Sequence, residues 1–359
     1  MGDKQNKSIK GRGSASKPDA RYLQQARERV DDGWDTPDPE SKLLTTVTRE
    51  KAKTIISRNN SPDIPFDQSI NPYRGCEHGC VYCYARPAHA YMDLSPGLDF
   101  ESRLFYKANA AELLEQALAA RSYKCTPIAL GSNTDPYQPI EREYRVTRQI
   151  IEVLSKYDHP LTIVTKSSLV ERDLDLLQPM AEKNLVSVYV SVTTLDARLM
   201  QKMEPRATAP IRRLETLARL HAAGIRTGMM FAPVIPVIND HEMETILERG
   251  SETGISSAGY VLLRLPHEIK DLFREWLELH YPLKAEHVMS LIRQSRGGKE
   301  YDADFKQRLS GTGLFAEMIG KRFQKACKRF GIHSGERSDL DCSLFEKPVL
   351  SGQQYALFS

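Results

Sequence analysis

Between residues 66 and 268, short apolar runs alternate with longer stretches of helical spacing, and the alternation occurs six times. The runs are FDQSINPYR (66–74), IALGS (128–132), LTIVTK (161–166), LVSVYVSV (185–192), TGMMFAP (227–233) and YVLLRL (260–265). Asn109 with Glu112 three residues on marks a capped helix start. Helical faces then follow at Val146, Ile150, Ile151 and Leu154, at Leu174, Leu177 and Met180, at Leu214, Leu217, Ala218 and His221, and at Met243, Ile246 and Leu247, with Gly224 as a C-terminal cap. A strand that re-enters its sheet after a helix lies parallel and crosses right-handed. Near-continuous apolar strands are covered on both faces. The expected class is α/β with a parallel sheet, either open and Rossmann-like or curled toward a barrel.

Either arrangement binds ligands at the C-terminal ends of the strands. The polar residues of this chain gather there. Cys76, Cys80 and Cys83 follow the first strand, and Ser132, Asn133, Thr134 and Asp135 follow the second. Lys166 ends the third, while Ser191, Thr193 and Thr194 end the fourth. Pro233 and Pro236 follow the fifth, and Arg264 and His267 the sixth.

Three of the chain's six cysteines stand in RGCEHGCVYCYARP, spaced C-x3-C-x2-C. No apolar run reaches membrane-spanning length and MGDKQNKSIK has no hydrophobic signal region, so a cytoplasmic protein without membrane attachment is expected. Clustered cysteines in that compartment read as metal ligands or catalytic thiols. Three close thiolates can hold three irons of a [4Fe–4S] cube and leave the fourth iron open. The competing reading is a structural zinc with His78 as fourth ligand, but zinc sites usually come as two pairs and no second pair exists. Cys125 falls at the opposite end of the second strand, Cys327 sits with Phe323 and Phe330 at helical spacing, and Cys342 lies in a loop with nothing to pair with.

This spacing, with Tyr82 before the last cysteine, resembles the radical S-adenosylmethionine superfamily. The resemblance implies a partial parallel (β/α)6 barrel and a [4Fe–4S] cluster whose open iron chelates S-adenosylmethionine. It implies reductive cleavage of that cofactor to a 5′-deoxyadenosyl radical, fed by a reductant such as flavodoxin or ferredoxin. The segments SNTDPYQPIE, IVTK, VYVSVTT, MEPRATAPIRRLETLARLHAAGI and MMFAPVIP further resemble the spore photoproduct lyase branch. From that branch, Thr134 and Asp135 would hold the methionine ammonium, Lys166 and Ser191 its carboxylate or the ribose, and Ala232 to Val234 the adenine. The charges suit those roles: an ammonium wants Asp135 and a carboxylate wants Lys166. Where the lyase carries the cysteine that returns a hydrogen atom to its product, this chain has Ser132. A serine O–H bond is too strong for that donation, so a different substrate is expected.

The remaining chain divides into a polar, flexible arm (1–45), the core (46–268), a helical C-terminal extension (269–345) and a flexible tail (346–359). Lys321, Arg322, Lys325, Lys328 and Arg329 share one side of a helix, as a solvated face or a phosphate-contacting stripe. In the tail, Gln354, Leu357 and Phe358 of QQYALFS resemble the pentapeptide by which bacterial repair proteins engage the sliding clamp. The leading expectation is a radical enzyme acting on DNA in repair or modification. Radical modification of RNA or a peptide is a second, and an iron–sulfur or zinc binding protein without turnover a third.

Overall fold

The structure, a computed structural model, describes residues 8–23, 43–335 and 339–349. Six parallel strands form its centre: β1 (Gln68–Ile70), β2 (Ile128–Leu130), β3 (Leu161–Thr165), β4 (Val186–Ser191), β5 (Arg226–Val234) and β6 (Ser257–Leu262). They lie side by side in chain order, with Ile70 opposite Leu130, Leu130 opposite Ile163, Thr165 opposite Val190, and Ser191 opposite Met230. Sequential order with right-handed crossovers puts every connecting helix on one face and curls the sheet around the other. The curl does not close among the described residues. Ile56–Arg58 adds antiparallel to β1 at one edge and His333–Ser334 adds parallel to β6 at the other. This is the α/β partial barrel expected.

The outer helices are α1 (Ala110–Ala119), α2 (Val146–Lys156), α3 (Leu174–Glu182), α4 (Pro210–Ala222) and α5 (Met243–Ser251). Beyond the barrel come α6 (Ile269–His280), α7 (Ala285–Gln294) and α8 (Gly313–Phe330). Helix α2 buries Val146, Ile150, Ile151 and Leu154, the stripe its periodicity predicts. Helix α4 departs from expectation. It buries Arg213, Leu214, Thr216, Leu217 and Leu220, and exposes Ala218 and His221. The buried face is rotated toward Arg213 because that guanidinium serves a buried carboxylate, described below. Gly224 follows α4 with φ +77°, the left-handed cap expected of it.

Three further differences have local causes. The run 66–74 breaks at Pro72, which has no N–H to continue a ladder. Its second half, Tyr73–Arg74, pairs instead with Arg103–Lys107, which also pairs with Thr46–Glu50 in a separate three-stranded sheet. Strand β6 starts and stops earlier than YVLLRL suggests. The carbonyls of Leu262 and Leu263 are taken by the Arg296 guanidinium at 3.2 and 3.0 Å. Asn109 precedes α1 but makes no capping bond; its side chain pairs with both backbone groups of Ala52, at 2.9 and 3.0 Å.

The expectation of a flexible arm needs correction over residues 8–23. Arg12 and Ser14 are buried. The backbone N–H groups of Gly13 and Ser14 each donate to the Glu101 carboxylate at 2.9 Å. A Cβ on Gly13 would fall 1.8 Å from the Gly79 carbonyl oxygen, so only glycine lets this segment lie against the cysteine loop. At the other end, Glu346 donates its N–H to the Tyr157 carbonyl at 3.1 Å and Lys347 reaches the Arg121 carbonyl at 3.0 Å. Gln354, Leu357 and Phe358 lie outside the described residues. Among the described residues no helix is long and apolar enough to cross a membrane.

Candidate active site and metal centre

The cysteine loop follows β1 and Tyr73–Arg74 and runs into a short helix at Arg86–Met92. Gly75 and Gly79 turn it with φ of +73° and +70°. Its backbone is fastened from several sides. Cys76 N–H donates to the Phe100 carbonyl at 2.9 Å and Val81 N–H to the Met203 carbonyl at 3.0 Å. The fully buried Arg86 donates to the carbonyls of Cys80 at 2.8 Å, Gly97 at 2.9 Å and Gly79 at 3.2 Å, and pairs with Glu101. Gln138 accepts from Glu77 N–H at 2.9 Å and donates to the Gly75 carbonyl at 3.1 Å. Such saturation holds three thiols in fixed relation before any metal arrives.

All three thiols are free, Cys76 and Cys80 buried and Cys83 half-buried. Burial pushes the Cys80 thiol up to about 12, and it also raises Cys76 and Cys83. Thiols held this way ionise only against a strongly cationic ligand, which a metal centre supplies. Among the described residues no three His, Cys, Asp or Glu converge to hold one metal ion. His78 is turned away, its Nδ1 3.3 Å from Asp135. Three thiols on one loop, with His78 paired to Asp135, fit a cluster in which each thiolate takes a separate iron.

The other expected residues surround the loop, and the structure sorts them by what their polar atoms already do. Asp135 accepts from Thr165 Oγ1 and Lys166 N–H at 2.7 Å, from Tyr137 N–H at 2.9 Å, and lies beside His78. Burial alone would raise its carboxyl, but the His78 charge and these hydrogen bonds outweigh it and pull the group down to about 2. Both oxygens are thus occupied by protein donors, and Asp135 joins the end of β3 to the cysteine loop. The Thr134 hydroxyl is committed to the Tyr73 carbonyl at 3.1 Å. Lys166 differs. Its Nζ stands 5.8 Å from the Tyr82 ring centroid and makes no salt bridge or hydrogen bond among the described residues, although Glu204 and Asp135 lie close enough to favour its charge. Burial opposes its charge, but neighbouring Cys80 and Glu204 leave its pKa raised. The Ser191 hydroxyl likewise has no partner among the described residues, although its carbonyl accepts from Arg213 at 3.0 Å. Ala232 is half-buried at the end of β5, and Val234 is fully buried with its carbonyl bonded to Leu263 N–H at 3.0 Å. His267 is exposed, at φ +53°.

Sequence reasoning missed the group beneath Tyr82. Glu204 is fully buried; it accepts from the Tyr82 hydroxyl, from Thr193 Oγ1 at 2.8 Å and from the buried Arg213 guanidinium. Burial works against its charge, and the Arg213 guanidinium, the Lys166 ammonium and the Tyr82 hydrogen bond together outweigh it, so its carboxyl is held low. Arg213 also donates to the Thr208 carbonyl at 2.6 Å. Glu204 and Arg213 both stand in the segment MEPRATAPIRRLETLARLHAAGI that carries the resemblance, but only their neighbours in space reveal their role. Cys342 needs a correction too: its thiol lies near that of Cys125, far from the loop, and burial together with that neighbour raises the Cys125 pKa. Of the basic side of α8, Arg322 pairs with Glu244 at 2.7 Å, while Lys321, Lys325, Lys328 and Arg329 stay exposed.

The sequence profile of the radical SAM superfamily matches residues 70–250. An uncharacterized protein of Mycobacterium tuberculosis is 35% identical over 237 residues, covering 66% of this chain and 70% of that protein. A radical SAM Nalpha-GlyT isomerase of Pseudomonas phage M6 is 27% identical over 194 residues, 53% of this chain and 38% of the isomerase. Among solved structures, spore photoproduct lyase complexed with dinucleoside spore photoproduct superposes with a TM-score of 0.55 over 82% of both chains at 15% identity. A lyase variant with bound AdoMet and the same lesion gives 0.53 over 82% of both chains, also at 15% identity. At such identity the likeness is one of fold.

Proposed function

The chain belongs to the radical SAM superfamily, whose members use a [4Fe–4S] cluster and S-adenosylmethionine, and from that premise we propose that Cys76, Cys80 and Cys83 hold the cluster of an enzyme that modifies or repairs nucleic acid. When bound, the cluster supplies the electron that cleaves the cofactor to methionine and a 5′-deoxyadenosyl radical. The observation that carries the reading is the Lys166 ammonium, which makes no salt bridge among the described residues and stands over Tyr82, within the loop that carries the three thiols. A protein that merely bound a cluster would have no use for it.

The residues then take distinct parts. Lys166 binds the methionine carboxylate as a charge-assisted pair. The Ser191 hydroxyl offers a second hydrogen bond to the carboxylate or ribose. Ala232, open at the end of β5, borders the adenine, and the buried Val234 backs it. Asp135 and Thr134 position this constellation. Asp135 fixes the Lys166 backbone and His78, and its charge draws the methionine ammonium through space. Tyr82, pinned by Glu204, closes the floor against water. A small one-electron donor such as flavodoxin or ferredoxin would serve from outside. The nucleic-acid part draws on the shared fold with a lyase that binds a dinucleoside lesion.

The test is anaerobic reconstitution with iron and sulfide, followed by dithionite and S-adenosylmethionine. The expected products are 5′-deoxyadenosine and methionine. Stoichiometric zinc without iron, or an iron-loaded protein that leaves the cofactor intact, overturns the reading.

A further inference from the structure

At the open side of the rim, two arginines stand together without a carboxylate. Arg264 leaves the end of β6 with its guanidinium over two rings, 5.5 Å from the Tyr84 centroid and 5.9 Å from that of Tyr301. One of its nitrogens donates to the Tyr301 hydroxyl at 3.3 Å, and its Nε is buried with no partner. Arg296, from the turn after α7, is 2% exposed. It donates to the carbonyls of Gln307 at 2.7 Å and of Leu262 and Leu263, and its Nε also lacks a partner. The two charges oppose each other closely enough that burial and Arg264 together lower Arg296 to about 10. Neither makes a salt bridge among the described residues. Asp302, whose charge partly offsets this, makes no salt bridge to Arg296 and accepts Asp304 N–H at 2.9 Å. The neighbouring Arg308 is neutralised by Asp63 through two 2.6 Å bonds. Natural proteins rarely leave paired guanidiniums uncompensated, since each buried donor without a partner costs free energy.

The place adds meaning. Tyr84 directly follows Cys83, is 48% exposed, and donates its hydroxyl to the Ser132 carbonyl at the end of β2. It therefore bridges the cysteine loop, one wall of the barrel opening and, through Arg264, the other. Exposed aromatic rings beside a guanidinium pair are a surface for a nucleobase and its phosphate. We propose that Arg264, flanked by Tyr84 and Tyr301 and backed by the buried charge of Arg296, receives a backbone phosphate of a polynucleotide substrate and so holds the adjoining nucleoside over the cysteine loop. The assignment rests on the radical reading above and names the substrate class for it.

The experiment titrates the reconstituted full-length protein against a fluorescein-labelled oligothymidylate, its uncharged methylphosphonate counterpart, inorganic phosphate and a polyglutamate peptide. Wild type should bind the charged oligonucleotide at least about tenfold more tightly than the methylphosphonate, the scale of one charge-assisted contact. Arg264→Gln should erase most of that preference and reduce the slope of log affinity against log salt by about one. Arg264→Lys, which keeps the charge and loses the planar stack, should restore the salt slope but only part of the affinity. Iron content and unfolding midpoint establish that each variant is folded and loaded. Binding that ignores backbone charge, Arg264→Gln binding like wild type, or polyglutamate or inorganic phosphate matching the oligonucleotide, each overturns the proposal. A wild type that produces 5′-deoxyadenosine but does not prefer the oligonucleotide removes this inference and leaves the radical chemistry standing. A wild type that fails to load iron removes the premise.

Discussion

The two ends of the barrel carry similar residue types and use them in opposite ways. At the far end, where the strands begin, His159 is fully buried with Nδ1 2.9 Å from the Pro160 carbonyl and Nε2 2.7 Å from the Tyr123 hydroxyl. Phe345 packs edge-on against that imidazole at 5.0 Å, and the free thiols of Cys125 and Cys342 lie near each other. There these side chains are satisfied within the chain, although the neutral Thr227 hydroxyl, which lines a cavity with Asn184, His221 and Arg226, has no partner. At the rim, the Nε atoms of Arg264 and Arg296 are buried without partners, and Lys166 makes no salt bridge among the described residues. A satisfied polar group stabilises the fold, whereas an unsatisfied one is a cost that a ligand can relieve. The difference separates scaffold from site more sharply than residue type does, since histidines and cysteines occur at both ends.

The sharpest way to break this comparison is to exchange the cysteines' roles. Cys76→Ala, Cys80→Ala or Cys83→Ala should abolish iron loading, because each removes a thiolate from one iron and opens a second corner. Cys125→Ala, Cys327→Ala and Cys342→Ala should load fully. Iron and sulfide analysis after anaerobic reconstitution decides it. A far-end variant that loses iron would mean the two ends are not separable.

Glu204 probes the rim's own scaffold. Removing it by Glu204→Ala leaves the buried Arg213 guanidinium and Tyr82 hydroxyl without their acceptor. Breaking a buried pair on one side costs about 3–5 kcal/mol. Urea unfolding of the iron-free protein should show a loss of that order, since the pair does not depend on the cluster. Lys166→Ala should do the reverse. It should leave stability and iron content near wild type and weaken S-adenosylmethionine binding roughly ten- to a hundredfold, the worth of one charge-assisted contact. If Lys166→Ala destabilises the fold and keeps cofactor affinity, the residue is scaffold after all.

These cases also mark what the sequence could reveal. The six strands and the buried stripe of α2 were legible because apolar periodicity is local. So was the cysteine loop, whose three thiols sit within eight positions. Glu204 and the Arg86–Glu101 pair were not, because a buried charge shows itself only through its partners. The same holds for the Gly13–Ser14 segment, whose hydrogen-bond acceptor lies 88 and 87 residues away. Asp135 shows the limit from the other side. Its position suits a cofactor ligand, but Thr165, Lys166 and Tyr137 occupy its oxygens, and sequence cannot count bonds already made.

The far end offers the smallest effect and the cleanest control. Burial holds the His159 imidazole down to about 4, against an ordinary value of 6.5. A base whose folded pKa is depressed stabilises the fold fully above its unfolded pKa. It gives that stability up as pH falls from about 6.5 toward 4, because the unfolded chain then binds the proton more readily. Between roughly pH 8 and pH 5 the loss from this one residue is about 2 kcal/mol. His159→Gln retains hydrogen-bonding capacity and removes the titration. Denaturant midpoints of the iron-free protein should therefore fall more for wild type than for His159→Gln over that range. His89, also held near 4 by burial, titrates equally in both proteins and cancels in the difference. Cofactor affinity measured at one fixed neutral pH should be the same for the two. A parallel pH response would show that His159 already titrates normally in the fold, and that the far end is less sealed than its bonding implies.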